Sequence, residues 1–574
     1  MTTTATYTSP FPPLRLPKCN LLSYLYPPNT TVSSSPIWID ASNPAHSLSP
    51  RQALSYIRRL GFGLDNNLQI PKGAVVLIYT PNHIFVPVAY QGIVGSGRIF
   101  CGVNPAYTQF EVAHQLRDTR AAVLLVHPDF VSTAVRAADT VGLPRERIFL
   151  FSDEPRSEVR SDECPDVRDW KAMIGSEAEG ETWKWDAMID DDGDGNVAAS
   201  TVATVNYSSG TTGLPKGVCG SHANLVANAE QTIFMRDQET PHATVPASRP
   251  PERWVGFLPL YHAYGQLYAC IMAPKLSIPV YIMRKFVYEE FLATIQRFRI
   301  THLQVAPPIL IMLDKRPETA RYDLRSVRNI LCGAAPLSRD LQNAIQTRFG
   351  INVVQGWGMT EVTCGAIHVP GGSYDESGSV GVLDPNCEAR LLDEEGRDVR
   401  PGEAGELYIR GPNVVLGYWR NEGATRESFG LLGGGGGGWL KTGDVMRVEG
   451  GERFWVVDRK KELIKVNALQ VSPAELEAVL LGHEGVADAG VVGVLGEDGQ
   501  ERPRAYVQVR DGAGNGLSEA DVQAYMRDRV AKHKQLTGGV KFVDEVPRLA
   551  SGKLHRKVLK EWAKRDAAGL KSKL

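Results

Sequence analysis

Short apolar runs rich in β-branched residues alternate along the chain with segments that carry helix-start signals. Residues 74–79 (AVVLIY) and 122–126 (AVLLV) are such runs, and their length and continuity are typical of strands buried on both faces. Residues 49–52 (SPRQ) and 108–111 (TQFE) place a hydroxyl three positions before Gln or Glu, which is the pattern of a capping box. Strands and helices therefore alternate, which predicts an α/β fold with largely parallel strands.

The length of the chain and its breaks in pattern predict more than one domain. A chain of 574 residues exceeds the roughly 250–300 residues at which single cores stop growing. Residues 181–200 are rich in Asp, Gly and Glu, and residues 433–438 are consecutive glycines, so we expect both to be surface loops. After Asp458 a basic cluster leads into a small α+β pattern. We predict a large N-terminal domain of several αβ layers over residues 1–457 and a small C-terminal domain over 458–574.

Composition limits the partners and the cell compartments that are compatible with this sequence. The formal net charge is −2, and no apolar run reaches transmembrane length, so we expect neither nucleic acid binding nor a membrane span. The eight cysteines form no Cys-x-x-Cys pair, which argues against structural zinc and fits a reducing compartment. The chain ends in Ser572, Lys573 and Leu574. This tripeptide is a peroxisomal address, so we expect peroxisomal import receptor binding and a peroxisomal location.

The stretch from residue 207 to 217 (YSSGTTGLPKG) carries the most specific chemistry. Its glycines let the backbone approach phosphate closely, its hydroxyls add donors, and Lys216 supplies a mobile positive charge. It is not a Walker A loop, because Pro215 stands five residues after Gly210, where that pattern requires glycine. A solvated Ser/Thr/Gly turn would explain the composition but not this order.

This segment resembles the signature loop of the adenylate-forming superfamily, which includes acyl-CoA synthetases, luciferases and peptide-synthetase adenylation domains. Within it the chain is most similar to the 4-coumarate–CoA ligase-like branch, from about residue 50 to 560. Further matches are residues 258–265 (LPLYHAYG), 355–361 (QGWGMTE), 441–444 (KTGD) and 547–553 (PRLASGK). The resemblance implies an acyl-CoA ligase that uses ATP, Mg²⁺ and coenzyme A, and that forms an acyl-adenylate before the thioester.

The resemblance also assigns the nucleotide and metal contacts. Trp357 offers a flat face for adenine where the family usually has Tyr, Asp444 and Arg459 reach the ribose, and Glu361 is the Mg²⁺ contact. Lys553, His262 and Lys216 are the implied catalytic residues. The implied ATP or AMP contacts are Ser208, Ser209, Gly210, Thr211, Thr212, Lys216, Ala334, Gln355, Gly356, Trp357, Thr360, Asp444, Arg459 and Lys553.

The same resemblance implies where the acid and coenzyme A bind. The implied acid contacts are His262, Tyr264, Tyr268, Gly333, Ala334, Gln355, Lys461 and Lys465. Tyr264, Tyr268, Trp357 and the small residues around Gly333 suit an aromatic or medium-chain carboxylic acid. The implied coenzyme A contacts are Lys285, Asn467 and Ala468. Related plant ligases have Lys and Gly at the last two positions, so this chain lacks one charge there. Asp458 matches the family's hinge, about which the small domain rotates between the two steps.

Two other functions remain open on the residues alone. One is a stand-alone adenylating enzyme that passes the acyl group to a carrier protein or to another acceptor, as in a luciferase-type oxidation. The sequence stops soon after Lys553, so we expect no appended carrier domain. The other is a non-catalytic nucleotide-binding protein, which the filled catalytic positions disfavour. Product analysis with and without coenzyme A separates the three.

Overall fold

The computed structural model describes residues 6–153, 161–189, 196–208, 215–238, 251–429, 438–466, 469–496, 500–510, 516–549 and 552–571. Ser209, Gly210, Thr211 and Thr212 of the predicted phosphate loop lie outside these residues, as do Asn467, Ala468 and the tripeptide 572–574. The predicted glycine loop at 433–438 is described only at Gly438. Within the described part, no helix is long and apolar enough to cross a membrane.

The strands within these ranges are, in chain order, β1 Tyr7–Thr8, β2 Trp38–Asp40, β3 Ser47–Leu48, β4 Val75–Tyr79, β5 Ile99–Val103, β6 Val123–Val126, β7 Ile148–Leu150, β8 Arg168–Asp169, β9 Val202–Ser208, β10 Lys216–Ser221, β11 Trp254–Gly256, β12 Val280–Ile282, β13 His302–Val305, β14 Asn329–Cys332, β15 Asn352–Trp357, β16 Ile367–His368, β17 Val382–Leu383, β18 Glu388–Leu392, β19 Gly405–Arg410, β20 Leu440–Glu449, β21 Arg453–Arg459, β22 Ile464–Val466, β23 Leu469–Val471, β24 Val486–Leu495, β25 Glu501–Val509 and β26 Val540–Val543.

The α-helices within the same ranges are α1 Leu21–Leu25, α2 Pro50–Phe62, α3 Val86–Gly95, α4 Gln109–Thr119, α5 Val131–Val141, α6 Glu177–Thr182, α7 Asn196–Ser200, α8 His222–Arg236, α9 Ala263–Gly265, α10 Ala273–Leu276, α11 Tyr288–Phe298, α12 Pro307–Lys315, α13 Arg339–Phe349, α14 Glu422–Phe429, α15 Pro473–Leu481, α16 Glu519–Arg527 and α17 Arg556–Lys571. Two π-helical segments, Gly63–Asn67 and Gln266–Met272, continue α2 and α9.

Two large sheets carry most of the chain before residue 383. One has the order β10-β9-β5-β4-β6-β7-β8 and is parallel apart from its β10 edge. The other has the order β17-β16-β15-β14-β13-β11-β12-β2-β3, with a parallel centre from β15 to β2. Every residue of β4 and β6 is buried, as expected for strands covered on both faces. The predicted α/β class is confirmed.

The rest of the chain builds smaller antiparallel and mixed sheets. Strands β1, β18, β19, β20 and β21 form an antiparallel sheet, and its last pair sets Asp444 opposite Arg459. Strands β22 and β23 form a hairpin, and β24, β25 and β26 form a separate sheet. Among the described strands, β22 to β26 pair with none of β1 to β21. The predicted domain limits at 457 and 458 stay predictions.

Local side-chain chemistry explains where several helices begin. Ser49 and Gln52 exchange hydrogen bonds with each other's backbone at the start of α2, as the capping-box pattern predicts. At α15 the Ser472 hydroxyl accepts from the Glu475 N–H, but the Glu475 carboxylate pairs with Lys534 at 2.7 Å and does not reach back. Tertiary pairing therefore replaces half of the predicted motif there.

One loop expectation is wrong in part. The segment 181–200, predicted as a surface excursion from its Asp, Gly and Glu content, contains the last turn of α6 and the whole of α7. Helix α7 packs against α8 and β10, so its short apolar run is ordered by tertiary contacts that composition does not reveal.

Candidate active site

The described ends of the predicted phosphate loop lie side by side. Strand β9 ends at Ser208, and β10 begins directly opposite it at Lys216 in the antiparallel register. The intervening residues thus connect neighbouring strand ends at one edge of the large parallel sheet. Ligands of open α/β sheets bind near the carboxyl ends of the parallel strands, where β9 also ends.

Lys216, Tyr418 and Glu361 form the first cluster beside this loop. The Lys216 Nζ lies 5.0 Å from the centroid of the Tyr418 ring, and the Tyr418 hydroxyl donates to Glu361 Oε1 at 3.0 Å. Burial raises the pKa of Glu361 above its usual value. The charges of Lys553 and Arg459 act in the opposite direction. Tyr418 was missed by the sequence analysis, because no charged or metal-binding residue adjoins it.

The residues predicted for magnesium fit that ion. Among the described residues, no group of three His, Cys, Asp or Glu side chains could hold a metal by protein ligands alone. Glu361 is a single, nearly buried carboxylate, 6% exposed. Mg²⁺ is commonly bound by one or two carboxylates together with substrate phosphates and waters. Glu361 beside the phosphate-loop strands meets that requirement, and Thr360 precedes it on the same short 3₁₀ turn.

Trp357, Asp444 and Arg459 form the second cluster, at the predicted adenosine site. The indole Nε1 of Trp357 donates to Asp444 Oδ2 at 2.8 Å, and Arg459 Nε lies 3.3 Å from Asp444 Oδ1. Each carboxylate oxygen retains a lone pair that can accept a ribose hydroxyl. The carboxylate is therefore oriented from both sides, which suits recognition of a vicinal diol.

Lys553 is brought towards these clusters from the far end of the sequence. Gly552 has φ +80°, and a Cβ built on it would lie 3.1 Å from Ala306 Cβ, at the start of α12. Glycine thus allows the left-handed turn and the close approach. Desolvation by the surrounding protein, followed by the charge of Arg459, lowers the pKa of Lys553 to about 8, against the pull of Asp444 and Glu361. The charges of Arg459, Asp444 and Glu361 therefore act on Lys553, which makes the lysine part of the same site.

The predicted acid pocket is built on α9 and the π-helical turn that follows it. The Tyr264 and Tyr268 rings meet edge to face, with centroids 5.4 Å apart. The Tyr264 hydroxyl donates to the Leu331 carbonyl at 3.2 Å. A Cβ on Gly333 would lie 3.7 Å from the Tyr264 ring, at ordinary van der Waals distance, so Gly333 lies beside this ring. π-Helical turns of this kind occur frequently at functional sites.

His262 is the N-cap of α9 and has a neutral side chain. Its Nδ1 accepts from the Tyr264 N–H at 3.3 Å, which leaves Nε2 to bond a ligand. Burial, and then the charge of Lys553, lowers the pKa of His262 to about 4. The imidazole therefore acts by hydrogen bonding near neutral pH, not as a second cation.

The turn after β14 and the start of the 355–361 motif complete the wall. Ala334 has φ +71°, a left-handed conformation that is uncommon outside glycine and that clusters at functional sites. The Gln355 amide donates inward to the Leu337 carbonyl at 3.3 Å and to Gln342 Oε1 at 2.7 Å. Gln355 would therefore contact a ligand through its backbone, because its side-chain amide already donates within the protein. A Cβ on Gly356 would meet His368 at 2.9 Å.

The remaining predicted contacts lie on the surface. Lys461 is exposed in the turn before β22. The Lys465 Nζ lies 3.8 Å from Glu394 Oε1 with its side chain 66% exposed, so this lysine is not gathered with Lys553 and Glu361. Lys285 is exposed, and its neighbour Arg284 pairs with Asp129. The acid and coenzyme A roles assigned to these three lysines stay predictions.

Hydrogen bonds at both ends hold α15, the first helix after Asp458, in place. Asp458, the predicted hinge, is buried and accepts from the Ser472 hydroxyl and the Ala474 N–H at the start of α15. At the other end of α15, Lys315 Nζ donates to the carbonyl of Leu481, the last residue of α15, and to that of Val486, the first residue of β24, both at 2.6 Å. The bond to Leu481 joins α12 to the end of α15, where a cation is favoured by the helix dipole.

Comparison with known protein families matches nearly the whole chain. Residues 28–419 match the family described as AMP-binding enzyme, and residues 475–553 match the AMP-binding enzyme C-terminal domain. A putative acyl-coenzyme A synthetase of Emericella nidulans is 36% identical over 97% of this chain and 98% of its own length. A probable 4-coumarate–CoA ligase 2 of Dictyostelium discoideum is 34% identical over 88% of each chain.

A solved structure has the same architecture. The crystal structure of the anthranilate CoA ligase AuaEII in complex with anthranoyl-AMP superposes with a TM-score of 0.79 over 96% of this chain and 99% of that one. The two sequences are 24% identical, so this match concerns the fold. The predicted resemblance to adenylate-forming acyl-CoA ligases is confirmed by the sequence matches.

Proposed function

This chain belongs to the AMP-binding enzyme family, and on the geometry of its site we propose that it joins an aromatic or medium-chain carboxylic acid to coenzyme A at the expense of ATP. It is an AMP-forming acid–thiol ligase. The observation that carries the proposal is the convergence of Lys553 and Glu361 with the Trp357–Asp444–Arg459 cluster beside the phosphate-loop strands. These groups supply charge stabilisation, a metal ligand and adenosine recognition in one place.

In the first step the acid's carboxylate attacks the α-phosphorus of ATP. The new bond joins a carboxylate oxygen to that phosphorus, and the bond to the bridging oxygen breaks, so pyrophosphate leaves with the electron pair. Two anions must meet, so preorganised positive charge lowers the barrier most. Lys553 and Lys216 provide it, and Mg²⁺ held by Glu361 would neutralise phosphate charge. Neutral His262 orients the carboxylate by a hydrogen bond without attracting it into an unproductive ion pair.

In the second step the thiol of coenzyme A attacks the acyl carbon of the acyl-adenylate. The carbon–sulfur bond forms, the bond to the AMP oxygen breaks, and the thiol proton passes to solvent or to AMP. Trp357, Asp444 and Arg459 keep hold of the nucleoside while the acyl group leaves it. Rotation of the C-terminal segment about Asp458 would withdraw Lys553 between the steps.

The acid class follows from the chemistry of the pocket wall. Tyr264 and Tyr268 present aromatic rings, and the small residue Gly333 lies beside Tyr264. Rings of this kind pack edge to face or offset against another ring. An aromatic acid, such as a cinnamic or phenylacetic acid, makes the fullest use of that surface, and a medium-chain alkyl acid packs against the same rings by hydrophobic contact.

We place the reaction in peroxisomes for a chain that ends at Leu574. The support is the sequence of residues 572–574, a tripeptide read by the peroxisomal import receptor. In that compartment the product would enter fatty acid degradation or secondary metabolism. A tagged protein that keeps this end free should colocalise with a peroxisomal marker and become cytosolic once the tripeptide is deleted. Cytosolic distribution of the undeleted protein overturns the assignment.

A panel of acids tests the proposed activity. The purified enzyme is incubated with ATP, Mg²⁺ and cinnamic, phenylacetic, benzoic, hexanoic, octanoic and palmitic acids, with and without coenzyme A, and AMP and thioester are measured. We expect thioester from the aromatic or medium-chain acids and little from palmitic acid. Acyl-adenylate formation with no response to coenzyme A would favour transfer to another acceptor. No product with any of the acids would oppose catalysis of this reaction.

A further inference from the structure

A cationic groove lies at the end of α4, among residues that none of the assigned sites uses. It has a volume of about 480 Å³ and is lined by His114, Arg117, Asp118, Arg120 and Arg420. Three of these five side chains are arginines, and one is a carboxylate. Small-molecule sites typically have volumes of roughly 300–1,000 Å³, so the groove is large enough for a ligand.

The arginines of the groove have no partners among the described residues. The side chains of Arg117, Arg120 and Arg420 are exposed and form neither a hydrogen bond nor an ion pair there. By contrast, a surface arginine such as Arg145 meets a carboxylate, that of Asp139, at 2.9 Å. The helix dipole explains a preference for cations at the end of α4. It does not explain Arg420, which comes from a different segment.

The groove's carboxylate is connected to the start of the phosphate loop. Asp118 accepts a hydrogen bond from the hydroxyl of Tyr207, the residue next to the last described residue of β9. One carboxylate faces three arginines, so Asp118 only partly offsets the surrounding positive charge. The groove therefore keeps an excess of positive charge beside one end of the loop.

Arg420 is connected to the other end of the loop. Tyr418 bridges to Val218 of β10, and the Trp419 N–H donates to the Gly217 carbonyl at 2.7 Å. Two residues before Arg420, Tyr418 lies against Lys216 and donates to Glu361. One short segment thus has an active-site side chain, Tyr418, and a groove side chain, Arg420.

We propose that this groove is a second anion site, which binds the diphosphate group of a small molecule. Guanidinium groups bind phosphate oxygens with paired hydrogen bonds and keep their charge at all physiological pH values. An anion would also relieve the repulsion among three convergent arginines. The site is inferred from the groove itself, and the choice of ligand rests on the proposed function. One product and one substrate of that reaction carry this group, namely the pyrophosphate released in the first step and coenzyme A, in its nucleotide part.

Calorimetric titration of the full-length enzyme tests the proposal without turnover. The enzyme is first saturated with α,β-methylene-ATP and Mg²⁺, which fills the catalytic polyphosphate position. It is then titrated in separate runs with pyrophosphate and with 3′-phosphoadenosine 5′-diphosphate, the part of coenzyme A that contains its diphosphate. We expect one equivalent of at least one probe to bind, and the R117Q/R120Q/R420Q variant to bind it at least tenfold more weakly. Binding of pyrophosphate identifies the product as the source, and binding of 3′-phosphoadenosine 5′-diphosphate alone identifies coenzyme A.

The chain offers a matched control for these substitutions. Arg297 and Arg299 occupy the last turn and the left-handed C-cap of α11, as Arg117 and Arg120 do on α4, and are likewise exposed. The R297Q/R299Q variant should bind the probe as the wild type does. Absence of binding of both probes to the wild type, or equal binding by the groove variant, overturns the proposal. If the triple variant fails to fold, R420Q alone decides, with a loss of at least threefold expected.

The experiments distinguish a failure of the proposed function from a failure of the anion-site proposal. The initial saturation with α,β-methylene-ATP reports nucleotide binding on its own, and the acid panel reports catalysis. A groove that binds diphosphate in an enzyme inactive on every acid supports the anion site and contradicts only the reaction. An active enzyme whose groove variant binds both probes normally contradicts only the anion site.

Discussion

The indole nitrogen of Trp357 donates a hydrogen bond to Asp444 across 2.8 Å, which joins the predicted adenine platform to the predicted ribose carboxylate. The two residues come from β15 and β20, which belong to different sheets. The bond orients the carboxylate, and the indole remains available as a π-face. Substitution of tryptophan for the more usual tyrosine therefore has a structural consequence in this chain that sequence alone did not show.

Replacing Trp357 with Phe should show what the hydrogen bond contributes apart from the aromatic ring. The variant keeps an aromatic face but removes one of the two side chains that contact the Asp444 carboxylate, at a cost of about 1.5–3 kcal/mol for a hydrogen bond to a charged group. We expect the KM for ATP to rise by about tenfold and the KM for the acid to change little. Steady-state kinetics with each substrate varied in turn measures both. Equal changes in the two KM values would contradict a role confined to the nucleoside.

Replacing Lys553 with Ala should impair the first half-reaction selectively. The loss of one preorganised charge-stabilising group lowers rates by about 10²–10³-fold, and adenylation should fall by that amount in an ATP–pyrophosphate exchange assay. Thioester formation from synthetic acyl-adenylate should be largely preserved, because Lys553 is proposed to withdraw before that step. Equal loss in both half-reactions would refute the two-position role of this lysine.

The pKa of Lys553 predicts the alkaline side of the adenylation profile. Lys553 is charged below its pKa of about 8 and loses its proton as the pH rises through that value, so the exchange rate should decline above about pH 8. Lys553→Arg keeps its charge over this range. Whatever activity that variant retains should therefore lack the decline. A wild-type profile that stays flat to pH 10 would show that the charge of Lys553 does not limit the step.

Lys315 should stabilise the position of the C-terminal segment in this structure. Its ammonium group donates to the carbonyls of Leu481, at the end of α15, and Val486, at the start of β24, and Lys315→Met removes both bonds while keeping much of the side-chain volume. We expect a severalfold loss of adenylation, with thioester formation from synthetic acyl-adenylate unchanged or faster. Limited proteolysis near residue 458 should accelerate.

Lys534→Met is the matched control for that experiment. Lys534 pairs with Glu475 within the C-terminal segment and makes no described contact with the rest of the chain, so its loss should leave both half-reactions unaltered. If Lys315→Met also leaves them unaltered, the bonds to α15 do not hold the segment in its adenylation position.

The features that could be predicted from the sequence are those that local patterns of residues determine. The buried strands near residues 75 and 123 and the capped start of α2 follow from apolar runs and side-chain spacing, and they are confirmed. The phosphate loop, the 355–361 motif and Lys553 were identified because each has a characteristic order of residues. Their roles as site residues stay predictions, and the structure adds the contacts through which they could act.

The contacts that sequence analysis missed join residues far apart in the chain. Tyr418 meets Glu361 across 57 positions, and Lys315 reaches Leu481 across 166. Neither residue has a local motif, because its partner is supplied by tertiary packing. The inward-facing Gln355 amide was missed for the same reason, since its acceptors come from the segment before α13 and from α13 itself.

A single-turnover chase tests the central claim most directly. Enzyme in excess over a radiolabelled acid that the panel has identified is mixed with ATP, Mg²⁺ and pyrophosphatase, and coenzyme A is added after the acid has reacted. We predict that acyl-adenylate accumulates to one equivalent of acid and then converts to acyl-CoA with stoichiometric AMP. An acyl-adenylate that forms but persists in the presence of coenzyme A would contradict the thiol ligase, and a thioester that forms without any acyl-adenylate would contradict the two-step mechanism.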